Sequence, residues 1–227
     1  MWNKKKLIKL LKTSSTYSVI DSLEKNLKYG LIVRHDIDWS IDDAYNFFLS
    51  ERENKINSTY YVRLTSDLYN VNSIKNRKIL MDISNFSEVG LHFDSSIYKK
   101  KNLLKGFKDE VDQLSNLIGK RVFTFSNHIP SKYGVSRIFY KKIKNAYSNK
   151  IFLPKTYISD SRYEYIKDIE EYVRTANKKL IYFLSHPEYY MESKRSYKSI
   201  ISRINKTYKT STINEIKFNN SNFLKYK

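Results

Sequence analysis

Short strand-like runs alternate with amphipathic helix-like runs along the chain, and this alternation restricts the possible folds most. Runs rich in β-branched and aromatic residues cover 31–36, 58–63, 88–93, 121–126, 151–158 and 180–185. Apolar residues at helical spacing cover 41–54, 103–117, 136–147, 162–177 and 192–208. The pattern predicts an α/β fold with a largely parallel sheet, either open or closed as a barrel. Ser40 is the expected N-cap of the first of these helices.

The chain has 227 residues, of which 41% are hydrophobic, enough to build a core. Its five glycines and three prolines are spread out, so no flexible linker divides it. We therefore expect one domain over 28–227, preceded by a basic segment over 1–27 that packs on or beside it.

Composition excludes several kinds of site. With no cysteine there is no disulfide or thiolate metal site, so any metal must be held by His, Asp, Glu or backbone. No apolar run is long enough to span a membrane, and Lys9 interrupts the apolar residues that a signal peptide would need. The expected compartment is the cytoplasm.

The formal charge of +19 suits an anionic partner, but no nucleic-acid-binding motif accompanies it. The lysines are scattered among Asn, Ile and Tyr, which favours a solvated basic surface over a specific nucleic-acid site. In a helix near the N-terminus, Leu7, Leu10 and Leu11 would share one face. That face either packs on the domain or supports a weak, peripheral contact of a basic helix with an anionic membrane.

The sequence contains four histidines, and each lies at the C-terminal end of a different strand-like run or just beyond it. They are His35, His92, His128 and His186. In parallel α/β folds the chemistry lies at the carboxyl ends of the strands. The four side chains are therefore candidates for one shared pocket.

Two carboxylates accompany the first histidine, in "RHDIDW". Residues two apart in a strand share a face, so Asp36 and Asp38 project together and His35 projects away. Two neighbouring carboxylates repel unless a cation lies between them, and one Asp with two His is a common divalent metal site. The alternative is an acidic cluster at a helix N-terminus that pairs with Arg34.

Four motifs, "RHDID", "STYYV", "EVGLHFD" and "LSHPEYY", resemble in this order those of the polysaccharide deacetylase superfamily (NodB homology, carbohydrate esterase family 4). The resemblance covers roughly residues 28 to 190 and is closest to the divergent branch found with surface-polysaccharide biosynthesis genes. It implies an irregular (β/α)7-type barrel, NodB-like and single-domain, and metal-dependent removal of acetyl groups from sugars.

Carried over by motif, the resemblance implies Asp36 as the catalytic base, with Asp38 and His92 as metal ligands. The family normally has a second histidine four residues after the first, where this chain has Ser96. His128 is the expected replacement. The metal is expected to be zinc.

The resemblance also implies His186 as the catalytic acid. The family's Arg-Pro-Pro motif is missing, so the arginine that orients the base is expected to be Arg162 or Arg34. His35 is expected to orient a ligand or the base. Five aromatic residues are candidates for a wall that stacks on the sugar, while the alternative for the tyrosines among them is an ordinary core or rim position. They are Trp39, Tyr60, Tyr61, Tyr189 and Tyr190.

Three functions are therefore open. The first is a metal-dependent deacetylase acting on an acetylated sugar or on a lipid- or nucleotide-linked glycan precursor. The second is a sugar-binding barrel without catalysis, which the missing motif histidine keeps open. The third is a glycosyltransferase that uses "DID" as its metal motif, although only about thirty residues precede it, too few for a nucleotide-binding half.

Overall fold

The protein is described from a computed structural model, which covers residues 3–134, 138, 140, 142–161, 166–191 and 197–219. Its strands are β1 Thr16–Tyr17, β2 Gly30–Ile37, β3 Thr59–Val62, β4 Glu88–Phe93, β5 Thr124–Asn127, β6 Lys144–Asn145, β7 Tyr157–Ser159 and β8 Leu180–Ser185. Its α-helices are α1 Lys4–Leu11, α2 Val19–Glu24, α3 Ile41–Glu53, α4 Ile74–Phe86, α5 Leu103–Ile118, α6 Pro130–Tyr133, α7 Ile166–Arg174 and α8 Tyr197–Asn219.

All the strand pairs are parallel and belong to one sheet of order β6-β5-β4-β3-β2-β8-β7, with β1 added to β2. Helices between successive strands cover the outer face, where β2, β3 and β4 pack on α3, α4 and α5 through Ile37, Val62 and Leu91. The predicted α/β fold with one parallel sheet and one domain is confirmed.

The sheet curls into an incomplete barrel. The strands β2 and β6 lie four positions apart, which in a flat sheet would separate them by about 19 Å. Yet Arg34 on β2 donates through Nη2 to the Tyr147 hydroxyl, two residues beyond β6, at 3.1 Å. Phe152 bridges the gap between the two edges, since its ring centroid lies 5.0 Å from that of Tyr147 and 4.7 Å from that of Tyr157 on β7. In the described residues no strand pairing joins β6 to β7.

Gly90 shows why the motif "EVGLHFD" carries a glycine. Its neighbour on β3 is Tyr61, which turns its ring into the barrel and donates to the Thr124 hydroxyl at 2.8 Å. A Cβ atom on residue 90 would lie 2.3 Å from the Tyr61 ring and 2.9 Å from the Thr124 carbonyl oxygen. The glycine therefore lets a large aromatic residue fill the interior below the site.

Two predicted elements are wrong. The predicted helix over 136–147 is not continuous, because Lys144 and Asn145 form β6 beside β5. The predicted strand over 151–158 shrinks to β7, because backbone turns around Pro154 occupy 151–156. The sequence reading also missed α2, which is only six residues long, and α4.

The N-terminal helix α1 packs into the body of the protein. Its apolar residues Leu7, Ile8, Leu10 and Leu11 are buried in a cluster with residues of β2 and β8. Its apolar face is therefore already covered, while Lys5 and Lys9 remain exposed. None of the described helices has the length and hydropathy needed to cross a bilayer.

Candidate metal centre and catalytic site

The curl of the sheet brings acidic and imidazole side chains from four strand ends into one pocket. Asp36 lies on β2 and Asp38 just beyond it, while His92 lies on β4, His128 follows β5 and His186 follows β8. His92 Nε2 is 3.6 Å from Asp36 Oδ2 and 3.3 Å from Asp38 Oδ1. His186 Nε2 is 3.6 Å from Asp38 Oδ2. The predicted pocket therefore contains three of the four histidines and both aspartates.

Asp38, His92 and His128 form a group whose potential ligand atoms lie within 4.8 Å of one another. Asp38 Oδ1 is buried and accepts no hydrogen bond from any described residue, although His92 Nε2 lies 3.3 Å away and His128 Nε2 lies 4.0 Å away. Two ligands of a tetrahedral zinc ion lie about 3.4 Å apart, given metal–ligand bonds of about 2.0–2.1 Å. The distances from Asp38 Oδ1 to the two imidazole nitrogens, and the lack of a hydrogen bond to this oxygen among the described residues, fit a small divalent cation.

The hydrogen bonds of the two histidines support the same conclusion. Asp94 Oδ2 lies 3.1 Å from His128 Nδ1, so Nδ1 carries the proton and Nε2 keeps its lone pair. Burial and the nearby His92 lower the pKa of His128, which keeps the ring neutral. His92 Nδ1 is 2.6 Å from the Ser126 hydroxyl, which leaves its Nε2 facing Asp38. Such partners on the far ring nitrogen are typical of metal-binding histidines.

Ser96, which stands where the family has its second histidine, supports Asp94. Its hydroxyl and backbone N–H donate to Asp94 Oδ1 at 2.6 and 3.0 Å. Burial opposes ionisation of Asp94, but these bonds and His128 lower its pKa. The residue that departs from the motif therefore holds the carboxylate that orients His128. Asp94 escaped sequence reasoning, although it lies only two residues after His92 in the same motif.

Asp36 is held by Arg34, one of the two arginines considered for this role. Arg34 is fully buried and donates from Nε to Oδ1 at 2.8 Å and from Nη2 to Oδ2 at 2.7 Å. Burial would raise the pKa of Asp36, but the Arg34 guanidinium and His92 lower it, so the carboxylate stays ionised. The expected pairing with Arg34 therefore exists, and it concerns Asp36, while Asp38 faces the histidines. The other candidate, Arg162, lies outside the described residues.

His186 is fixed by Asp160, a residue that sequence reasoning missed. Asp160 Oδ1 lies 2.6 Å from His186 Nδ1, and Oδ2 accepts the His186 backbone N–H at 2.9 Å. Burial alone would lower the pKa of His186, but Asp160 and the two pocket aspartates raise it to about 10. The imidazolium therefore points Nε2–H into the pocket, the state that a general acid requires.

Asp160→Asn is expected to reduce turnover about 10–100-fold with little change in bound metal, because an amide neither fixes the tautomer of His186 nor balances its charge. In metal-free protein, the raised pKa keeps His186 protonated up to about pH 10 in the wild type. Removing the Asp160 charge should move this titration to lower pH, which NMR of the imidazole measures. A titration unchanged by the substitution would remove Asp160 from this role.

The structure does not bring His35 to the pocket. His35 projects from the opposite face of β2, where Nδ1 is 2.7 Å from the Ser185 hydroxyl and Nε2 is 2.8 Å from Glu51 Oε1. Glu51 belongs to α3 and also accepts from Ser58 and Tyr60 through Oε2. His35 thus joins the sheet to α3, and the expectation that it orients a ligand or the base is wrong because the two-residue period of the strand turns it away.

The five aromatic candidates for sugar stacking divide into two groups. Tyr60, Tyr61 and Tyr190 are fully buried and so are not available for stacking. Trp39 and Tyr189 lie beside the site, with ring centroids 5.6 Å apart and Tyr189 5.3 Å from the His186 ring. They form an aromatic wall next to the expected acid, in which Trp39 is half-buried and Tyr189 keeps 8% of its surface exposed.

Glu188 links this wall to the end of β2. Its Oε1 accepts the backbone N–H groups of Trp39 and Ser40 at 2.9 and 3.1 Å. Burial raises the pKa of Glu188 to about 7, although the Trp39 N–H opposes the shift. Sequence reasoning missed this residue too, since nothing local marks it as a partner of residues about 150 positions earlier.

Comparisons with solved structures give similar chains. A CE4 family pseudoenzyme from Bacillus anthracis is 10% identical over 80% of this chain and 62% of its own, with a TM-score of 0.47. The peptidoglycan deacetylase PdaC from Bacillus subtilis is 17% identical over 87% of this chain and 95% of its own, with a TM-score of 0.46. The CE4 domain of a multidomain xylanase from the hindgut metagenome of Trinervitermes trinervoides is 16% identical over 82% and 85%, with a TM-score of 0.48.

The present chain spans less than two thirds of the length of the Bacillus anthracis protein. No protein-family model matches the sequence, and neither does any curated protein. Two of the three structures carry the name of the family that the four sequence motifs resemble.

Proposed function

We propose that the protein is a metal-dependent deacetylase that releases acetate from an acetylated sugar. The observation that carries the proposal is the convergence of Asp38 Oδ1, His92 Nε2 and His128 Nε2, three electron-pair donors that share one small space. On either side lie an ionised carboxylate, Asp36, and a protonated imidazole, His186. A base, an acid and a cation site in one pocket are the components of amide or ester hydrolysis.

Asp38, His92 and His128 would hold the cation, which when bound supplies Lewis acidity to the acetyl carbonyl and to a water molecule. Asp36 accepts the proton of the attacking water as the new C–O bond forms. His186 donates its Nε2 proton to the sugar nitrogen or oxygen as the bond to the acetyl carbon breaks. The products are acetate and the free sugar amine or hydroxyl.

The other residues act on these groups. Arg34 holds both oxygens of Asp36, so the carboxylate keeps one orientation. Asp160 holds the ring of His186, and Asp94 holds that of His128. The wall of Trp39 and Tyr189 lies beside the leaving-group side, where a sugar ring can stack on aromatic faces.

The substrate proposed is a lipid- or nucleotide-linked precursor of a surface polysaccharide, deacetylated in the cytoplasm. Its support is the motif resemblance together with the excess of positive charge, since both kinds of precursor carry phosphate. The cation proposed is zinc, which accepts a set of two imidazoles and one carboxylate.

The test is acetate release by protein purified without a histidine tag. We expect about one zinc ion per chain by elemental mass spectrometry, hydrolysis of p-nitrophenyl acetate and of N-acetylglucosamine oligomers, and loss of both activities after chelation. Added zinc should restore them. Acetate release that survives complete removal of metal would contradict the proposal.

A sugar-binding barrel without catalysis is the second candidate, and one contact favours it. Arg63 Nη1 lies 3.0 Å from His128 Nε2 and donates to the lone pair that a metal needs. Zinc-free protein that binds N-acetylglucosamine oligomers and releases no acetate would support this candidate. The glycosyltransferase interpretation loses support. Its metal motif would need the carboxylates of Asp36 and Asp38 to bind one ion, but Asp36 is paired with Arg34.

A further inference from the structure

Arg63, just beyond β3, donates a hydrogen bond to a proposed metal ligand and has no carboxylate partner in the described part of the chain. Its Nη1 is 3.0 Å from His128 Nε2 and its Nη2 is 3.2 Å from the Ser66 hydroxyl. Among the described residues, no carboxylate oxygen lies within 4.0 Å of this guanidinium. Arg34 in the same site, by contrast, is neutralised by Asp36.

The loop that carries Arg63 leaves polar atoms unsatisfied. Arg63 Nε and Thr65 Oγ1 are buried and have no hydrogen-bond partner among the residues that the structure describes. Buried donors of this kind are rare and costly in native proteins. The contact of Arg63 with His128 therefore leaves another of its buried donors, Nε, without an acceptor.

A cavity of about 290 Å³ lies on the far side of Ser66, the residue to which Arg63 Nη2 donates. Ser66, which Arg63 contacts, is part of its lining, together with Tyr69, Asn70, Asn72 and the exposed ring of Tyr208. Asp67 also lines it and opposes an anion at that part of the wall. Arg63 thus contacts both a proposed metal ligand, His128, and a residue of the cavity wall, Ser66.

We propose that Arg63 selects a substrate carrying an anionic group next to its acetylated sugar. This inference rests on the proposed function. A cation on His128 Nε2 takes the lone pair that Arg63 uses, so the arginine is released. Its guanidinium then pairs with phosphate or carboxylate oxygens at the mouth of the cavity, a geometry that suits its planar, forked donors.

The first measurement is zinc affinity by competition with a chelator. Arg63→Met should bind zinc several-fold more tightly than the wild type, because His128 Nε2 no longer has a competing donor and the repelling charge is gone. The matched control is Arg77→Met, which removes the same charge from an exposed position on α4. Unchanged or weaker zinc binding by Arg63→Met alone would overturn the release step.

The second measurement is ligand binding to zinc-loaded protein by calorimetry at low salt. The probes are neutral N-acetylglucosamine, N-acetylglucosamine 1-phosphate, UDP-N-acetylglucosamine and N-acetylglucosaminuronic acid. We expect at least one anionic probe to bind about tenfold or more tightly than the neutral sugar. Arg63→Met should lose this preference, Arg63→Lys should keep part of it and Arg77→Met should keep all of it.

The three anionic probes distinguish phosphate from carboxylate as the group recognised. A preference for anions that persists in Arg63→Met, or none in the wild type, would overturn the proposal. Binding does not depend on turnover, so an anion preference in a protein that releases no acetate would support Arg63 as the selecting residue while contradicting the proposed activity.

Discussion

Asp36→Asn is expected to lower acetate release about 10²–10⁴-fold while the protein keeps its metal, since that is the usual contribution of a general base. Asparagine has nearly the same shape but cannot accept the water proton. The metal should remain, because Asp38, His92 and His128 form the cation group without Asp36. Metal content, kcat and KM measured on the same preparation check the expectation, and activity near that of the wild type would exclude Asp36 as the base.

The same substitution is also expected to cost stability, which the experiment must separate from catalysis. Arg34 is fully buried, and losing the Asp36 charge leaves it unpaired, which typically costs about 3–5 kcal/mol of unfolding free energy. The pKa of Asp36 is lowered in the folded state, so its contribution to stability is present above about pH 4 and is lost as the pH falls towards the folded-state pKa.

Glu51→Gln is the matched control for Asp36→Asn. It removes another buried carboxylate, on the opposite face of the sheet, where Glu51 accepts from His35, Ser58 and Tyr60. It should destabilise the fold but leave the activity per folded molecule close to that of the wild type. A similar drop in activity in both variants would mean that lost packing, and not a lost base, explains Asp36→Asn.

Asp38→Ala and His92→Ala are each expected to weaken zinc binding about 100-fold or more. Each removes one of three proposed ligands, and replacing the partners that only orient such ligands already costs about 10–100-fold. Asp38→Ala also removes the contacts of this carboxylate with His92 Nε2 at 3.3 Å and His186 Nε2 at 3.6 Å. Zinc stoichiometry after dialysis and competition with a chelator measure the effect. Unchanged stoichiometry in both variants would contradict the ligand assignment.

His35→Gln is the control for these ligand variants. It changes a histidine on the same strand as Asp36 whose side chain lies on the other face, bonded to Ser185 and Glu51. Zinc binding should stay within a few-fold of the wild type. A loss as large as that in His92→Ala would show that zinc binding depends on the packing of β2 on α3. The zinc affinity of each variant would then have to be normalised to its folded fraction before it could support the ligand assignment.

The sequence alone was enough to predict the parallel α/β fold and the place of the site, because both depend on short-range periodicity. The two-residue period of β2 puts Asp36 and Asp38 in one pocket and turns His35 away. The prediction that His92, His128 and His186 lie at strand ends does not change when the predicted strand bounds are wrong by a few residues. The predictions were wrong where the periodicity is weak. Residues 144–145, predicted to be helical, form a strand because β5 lies beside them, and residues 151–156, predicted to be a strand, form turns between the two edges of the barrel.

The tertiary structure alone decided which partners set the chemistry of these residues. Asp160 and Asp94 hold their histidines from 26 and 34 residues away, and Arg63 reaches His128 from 65 residues away. These contacts arise from the order of the strands and the curl of the sheet, which bring distant segments together. No local period in a sequence encodes such distances. Residue patterns and the motif resemblance therefore give the candidate ligands and the candidate base, while the fold supplies the groups that orient, charge and compete for them.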